Sequence, residues 1–177
     1  MTTTTVLCAV PYGYDLPCFY FSDMETYEEK LAEMKELDLK QNLCGDYEHE
    51  LQFIDGEHGS QSLLDSCEDL DQFFSIVERM ESMDTNELAA LDWLIDCRGY
   101  DLNDALEKYE EVYAVEERPE DYVYEYLDEI GYLSEMPEHL QSYFNYEAFC
   151  RDLILGGDWD AHEYEGSTYT ITNACCL

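Results

Sequence analysis

The spacing of apolar residues changes period several times along the chain, and each change predicts an element. Residues 4–10, "TTVLCAV", are rich in β-branched side chains and predict a strand; "PCFYFS" (17–22) predicts a second after a Tyr-Gly turn region. Ser22 or Asp23 can cap a helix over 24–38, where Tyr27, Leu31, Met34 and Leu37 recur every three or four positions. "EHELQFID" (48–55) alternates and predicts a third strand, and the Gly/Ser-rich "GEHGSQS" (56–62) breaks the pattern. From 63 to 109 the spacing is helical only. Leu70, Phe73, Phe74 and Val77 form one stripe, Asp84 or Thr85 caps "NELAALDWLIDCRG", Gly99 stops it, and "LNDALEKY" gives a further short helix.

The last third mixes both periods. "YEEVYAVEE" (109–117) predicts a strand, and Pro119 opens a helix over 120–130. At about 100° per residue, Tyr122, Val123, Tyr126, Leu127 and Ile130 fall on one side of that helix, and Asp121, Glu125, Asp128 and Glu129 on the other. Gly131 suits its C-terminal stop. Pro137 opens another short helix, Asn145 caps "YEAFCRDLIL", and Gly156-Gly157 ends it. "WDAHEYEG" and "STYTITN" predict a hairpin turning at Glu165-Gly166. The expected fold class is α+β, an elongated chain of three small domains: a small sheet with a helix (1–61), a helical bundle (62–108) and a small sheet with helices (109–177).

Charge changes the picture. The 177 residues hold 43 Asp and Glu against 8 Lys and Arg, a formal net charge of −35. Such charge in a chain poor in apolar residues predicts disorder. Here 46% of residues are hydrophobic, and 16 tyrosines accompany only four prolines, which predicts a fold. Self-repulsion opposes compactness, and an elongated arrangement lowers it.

Other classes find little support. The eight cysteines (Cys8, Cys18, Cys44, Cys67, Cys97, Cys150, Cys175 and Cys176) include no C-x-x-C, so free thiols are expected rather than a metal site. The "ACCL" ending is not a prenylation box. No targeting segment or apolar run of membrane-spanning length is apparent, which predicts a cytoplasmic protein. Paired carboxylates serve glycosidases, but any two of 43 acids can be paired on paper. The four histidines have no Ser or Cys partner at a recognisable motif, and His139 is expected at the surface. The acidic stretches lack the alternating oxygen pattern of an EF-hand. No catalytic residue, metal or cofactor is expected.

The acidic face of 120–130 points to a binding function. Carboxylates at i, i+3 and i+4 lie about 5–6 Å apart between Cβ atoms, and each like-charge pair costs a few tenths of a kcal/mol. Stability alone favours lysines there. B-DNA carries one charge per about 1.7 Å of axis, and a folded surface dense in carboxylates offers a DNA-binding protein a similar field. The candidate partner-binding carboxylates are Glu116, Glu117, Glu120, Asp121, Glu125, Asp128, Glu129, Glu135, Glu138 and Glu147.

The segment "EYLDEIGYLSEMPEHLQSYFNYEAFCRDL" closely resembles the C-terminal region of the ArdA antirestriction proteins. The likeness rests on Gly131, Leu133, Pro137, Leu140, Tyr143, Phe144, Tyr146, Ala148, Arg151, Asp152 and Leu153. The "NELAAL" region and the three-part organisation are also similar, and the N-terminal third is so more loosely. The resemblance implies an elongated homodimer of three-domain subunits, encoded by a mobile element or phage and acting in the bacterial cytoplasm. It implies mimicry of bent B-form DNA and inhibition of type I restriction–modification enzymes through their DNA-binding channel, with no nucleic acid or membrane partner. It places the antirestriction motif at about 119–132, in a last domain that also contributes to dimerisation. The extended N-terminal region and the "NACCL" tail depart from the family. Two alternatives stand beside this reading: a DNA mimic directed at another DNA-binding defence complex, such as CRISPR or a phage-exclusion system, and an acidic protein-interaction module whose few aromatics dominate binding.

Overall fold

The computed structural model describes residues 4–12, 16–41 and 47–176. The chain divides into two compact units, Met1–Ser82 and Met83–Leu177. The turn expected after Tyr12 falls at 13–15, outside the described residues, as does Cys44.

The first unit is built on an antiparallel sheet of β1 (Val6–Pro11), β2 (Phe19–Phe21) and β3 (His49–Asp55), with β1 in the centre. The register sets Leu7 opposite both Phe21 and Phe53. Alternation turns Leu7 and Ala9 to the core with Phe19 and Phe21. Helix α1 (Met24–Gln41) supplies Met34, while Tyr27, Leu31 and Leu37 pack at its margin. Helices α2 (Gln61–Ser66) and α3 (Leu70–Glu81) complete the same core with Leu64, Leu70, Phe73 and Val77.

The helical spacing that starts at 63 is divided between Ser66 and Leu70, where the chain caps itself anew. The Asp69 carboxylate accepts from the Gln72 amide N–H at 2.8 Å, and the Gln72 side-chain oxygen accepts from the Glu68 N–H at 2.7 Å. Gln61 also covers the open edge of β3. Its amide oxygen accepts from the Phe53 N–H at 2.8 Å, and its amide nitrogen donates to the Leu51 carbonyl at 3.3 Å. This is the pairing a further strand would make, and it blunts the edge.

The second unit holds α4 (Thr85–Asp96), α5 (Leu102–Lys108), β4 (Ala114–Val115), α6 (Pro119–Glu129), α7 (Tyr132–Glu135), α8 (Glu138–Gln141), α9 (Tyr146–Gly156), β5 (Asp160–Tyr164) and β6 (Ser167–Ile171). Its sheet is antiparallel in the order β4-β6-β5. Asp84 caps α4 in a reciprocal box with Glu87, and Asn145 caps α9 through the Ala148 N–H. The β5–β6 hairpin turns at Glu165 and Gly166, with φ of 49° and 85°. Two successive left-handed residues make the tight turn that matches strand twist.

The α+β class stands, but the three-domain arrangement is not confirmed. The expected helical domain at 62–108 is shared out: α2 and α3 close the core of the first sheet, and α4 and α5 belong to the second unit. The strand expected at 109–117 is also corrected. Tyr109–Glu111 is a 3-10 turn continuing α5, with Tyr109 buried, and only Ala114 and Val115 pair with β6.

Candidate functional site

The acidic face rests on α6 and its support. Arg118 is extended at the helix start and Pro119 occupies the first turn, where its missing N–H costs nothing. Val123 and Leu127 are buried and pack with Leu133, Cys150 and Trp159. Full burial of each such aliphatic side chain contributes about 1.5–3 kcal/mol. Tyr122 and Tyr126 lie against Trp159, with ring centroids 5.8 and 4.9 Å away. Burial, then the charge of Glu129, raises the Tyr122 phenol pKa, so it stays a neutral hydroxyl and donates a hydrogen bond to Glu129 at 3.3 Å.

Two expectations for this core need correction. Ile130 is 44% exposed, because α6 ends at Glu129 and the left-handed Gly131 redirects the chain, so Leu133 of α7 closes the core instead. Tyr126, on the apolar side of the helix, is half-buried at the core's margin, as is Phe149 of α9, whose spacing also suits a buried position.

On the other face of α6, Glu120, Asp121, Glu125, Asp128 and Glu129 are all exposed. Glu120 and Asp121 complement the positive end of the helix dipole, whereas Asp128 and Glu129 sit at its negative end with no basic residue in the last turn. The like-charge spacing and the C-terminal acids both oppose stability, and core burial outweighs them. Glu135 in α7 and Glu147 in the first turn of α9 are also exposed. Glu138 lies in α8, with its side chain outside the description. Glu120 and Glu147 line one open cleft with Arg151. Glu116 and Glu117 are exposed beside the sheet rather than on the helix, and Glu116 accepts from the Ser167 hydroxyl at 2.8 Å.

Glu138 aside, none of these carboxylates forms an ion pair among the described residues. The Lys and Arg of this unit are Arg98, Lys108, Arg118 and Arg151. Arg98 lies over Trp93 and donates to the Ala174 carbonyl, and Lys108 lies over Tyr100. Arg151 is 3.9 Å from its neighbour Asp152, both exposed, a contact worth little.

The fold also joins groups that the sequence left apart. His162, which has no Ser or Cys partner at a sequence motif, is buried, with its Nε2 2.8 Å from Asp92 Oδ2 and its Nδ1 3.7 Å from Cys97 Sγ. Trp93 Nε1 donates to Asp160 at 2.9 Å beside it. Burial raises the Cys97 thiol pKa, and Asp160, Asp96 and Asp92 raise it further. That is opposite to the activation of a nucleophile, so the arrangement acts as a polar tie between α4 and β5. No sequence signal could have found it, since the partners are 65 and 70 positions apart. No group of three metal-ligating side chains assembles among the described residues.

The model of the antirestriction protein (ArdA) family matches residues 14–166. The chain belongs to the ArdA family. The match spans most of both units, including much of the N-terminal third, where the resemblance is looser, and it covers α6 entire. No curated protein matches the chain. ArdA membership implies antirestriction, with a restriction enzyme as target, and so assigns an inhibitor's role. No helix among the described residues is long and apolar enough to cross a membrane.

Proposed function

We propose that this ArdA chain inhibits a type I restriction–modification enzyme by presenting carboxylates where DNA presents phosphates, so that it occupies the DNA-binding channel. The observation that supports this is the unpaired anionic face of α6, held over a complete apolar core. Each carboxylate contributes a little, through charge attraction to the enzyme's lysines and arginines and through release of the counterions they hold. The fit is therefore distributed and sensitive to salt.

The dimer implied by the resemblance has a candidate face in the same unit. An apolar groove of about 290 Å³ is lined by Leu127, Tyr132, Leu133, Met136, Phe144 and Phe149. Tyr132 and Tyr143 are 60% and 83% exposed. These rings are also where a partner would seat if a few aromatics dominated recognition.

The test is displacement. Purified protein is titrated into a type I methyltransferase core bound to labelled duplex, at two salt concentrations. Release of the duplex that weakens at the higher salt is the expected result. A folded protein that releases none excludes the type I channel and leaves other DNA-binding defence complexes as the targets to assay.

A further inference from the structure

Cys175 and Cys176 lie outside the 14–166 match, and nothing in DNA mimicry uses them. Both side chains are exposed, and their sulfurs stand 3.5 Å apart. The backbone beneath them is held firmly. Ala174 is buried, its N–H donates to the Asp158 carbonyl at 3.0 Å, and its own carbonyl accepts from Arg98. Asn173 exchanges hydrogen bonds with the strand approach: its side-chain oxygen accepts from the Tyr113 N–H at 2.9 Å, and its side-chain nitrogen donates to the Glu111 carbonyl at 2.8 Å. The Cys176 N–H donates to the Asn173 carbonyl at 3.0 Å and closes the turn that sets both thiols on one side.

We propose that this adjacent pair is a two-thiolate clamp for a soft divalent cation of the zinc or cadmium class. Two metal–sulfur bonds of about 2.3 Å at a tetrahedral angle place their sulfurs about 3.8 Å apart. The observed spacing is close to that without backbone movement. A disulfide fits less well, because adjacent α-carbons are about 3.8 Å apart and bridged cysteines usually need about 4.4–6.8 Å. The surrounding charge also selects: a net charge of −35 concentrates cations near the surface and repels anionic thiol reagents.

On binding, two S–H bonds break, two metal–sulfur bonds form, and two protons pass to the buffer. The hydrogen bond to Cys176 raises the Cys175 pKa, and Asp158 adds to it. Among the described residues no third side chain completes a closed cage, so water fills the remaining positions.

Cadmium titrated into the reduced full-length protein tests this through thiolate-to-metal charge-transfer absorption, which carboxylate-bound cadmium does not give. One equivalent should develop the band, and only a large excess of zinc should reduce it. C175S and C176S should each weaken binding roughly 100-fold by removing the chelate. C97S should leave the band intact, and circular dichroism of each variant should match that of the parent. A band that survives in the C175S/C176S double variant places cadmium on other thiols and overturns the clamp. Absence of any band in the parent overturns it as well. Neither readout depends on inhibition, so the test stands apart from DNA mimicry.

Discussion

Helices α1 and α6 are both acidic and amphipathic, and they treat their charge in opposite ways. Over Met24–Gln41, α1 sets Lys30, Lys35 and Lys40 among its six carboxylates. Lys40 pairs with Glu36 one turn away at 2.8 Å, and Lys30 donates to the Tyr20 carbonyl at 2.5 Å. Over Pro119–Glu129, α6 carries five carboxylates and no cation. Both helices bury an apolar stripe, so folding does not explain the difference. What separates them is how charge at the surface is offset: α1 does so within the helix, and α6 leaves its carboxylates to solvent or to a partner.

The largest effect expected is on inhibition. Neutralising the ten candidate carboxylates together, as Gln or Asn, should weaken inhibition by roughly 100-fold or more, because each lost charge removes part of a counterion-release term. The thermal midpoint should stay level or rise as repulsion is relieved. Dose–response in a restriction assay, beside a thermal melt, reads both. D121N, E125Q or E129Q alone should change inhibition little. A single one that abolishes it in a folded protein would show a localised site instead.

Core substitutions should act through stability in both helices, and unequally. Leu127 is 2% exposed, so L127A should cost about 2–5 kcal/mol. Leu31 of α1 is half-buried, and L31A should cost less. Urea unfolding measures the pair, and equal losses would contradict the packing described. At the next scale, N145A removes the α9 cap and should cost about 1 kcal/mol in the same experiment.

A smaller effect sharpens the comparison directly. In α6, Glu125 faces Asp121 and Glu129 at i±4, so E125K turns two repulsions into attractions worth about 0.2–0.5 kcal/mol each. In α1, K40Q should lose a similar amount. Opposite signs in the two melts are expected. A loss of stability in E125K would show that the acidic face is already balanced.

Acid offers the smallest contrast. Just before α1, hydrogen bonding to the Thr26 backbone lowers the Asp23 pKa, and within the helix Lys40 lowers that of Glu36. A folded-state pKa below the unfolded one means that stability is present above the ordinary carboxylate range and is lost as pH falls through the lower value. Removing the α1 interactions, as in D23N with K40Q, should flatten that acid limb of the pH–stability curve.

Much of the site was readable because it is local. The α6 stripe of Val123 and Leu127, the Gly131 stop, the Asn145 cap and the Glu165-Gly166 turn all depend on residues within a few positions. What escaped depends on contacts across the chain. Which sheet α2 and α4 pack on is set by side chains such as Leu64 and Trp93 meeting distant strands, and periodicity carries no such information. Ile130 was misplaced because its helical angle is apolar while the chain has already left the helix. His162 found Asp92 and Cys97 only through pairing of α4 with β5.

The most direct measurement is the salt dependence of binding to a type I methyltransferase core, compared between the parent and a chain whose α6 carboxylates are neutralised. DNA mimicry predicts that the logarithm of the parent's binding constant falls linearly with the logarithm of salt, and that the slope shallows as the five charges are removed. A parent slope near zero, or one unchanged by the loss of those charges, would contradict it.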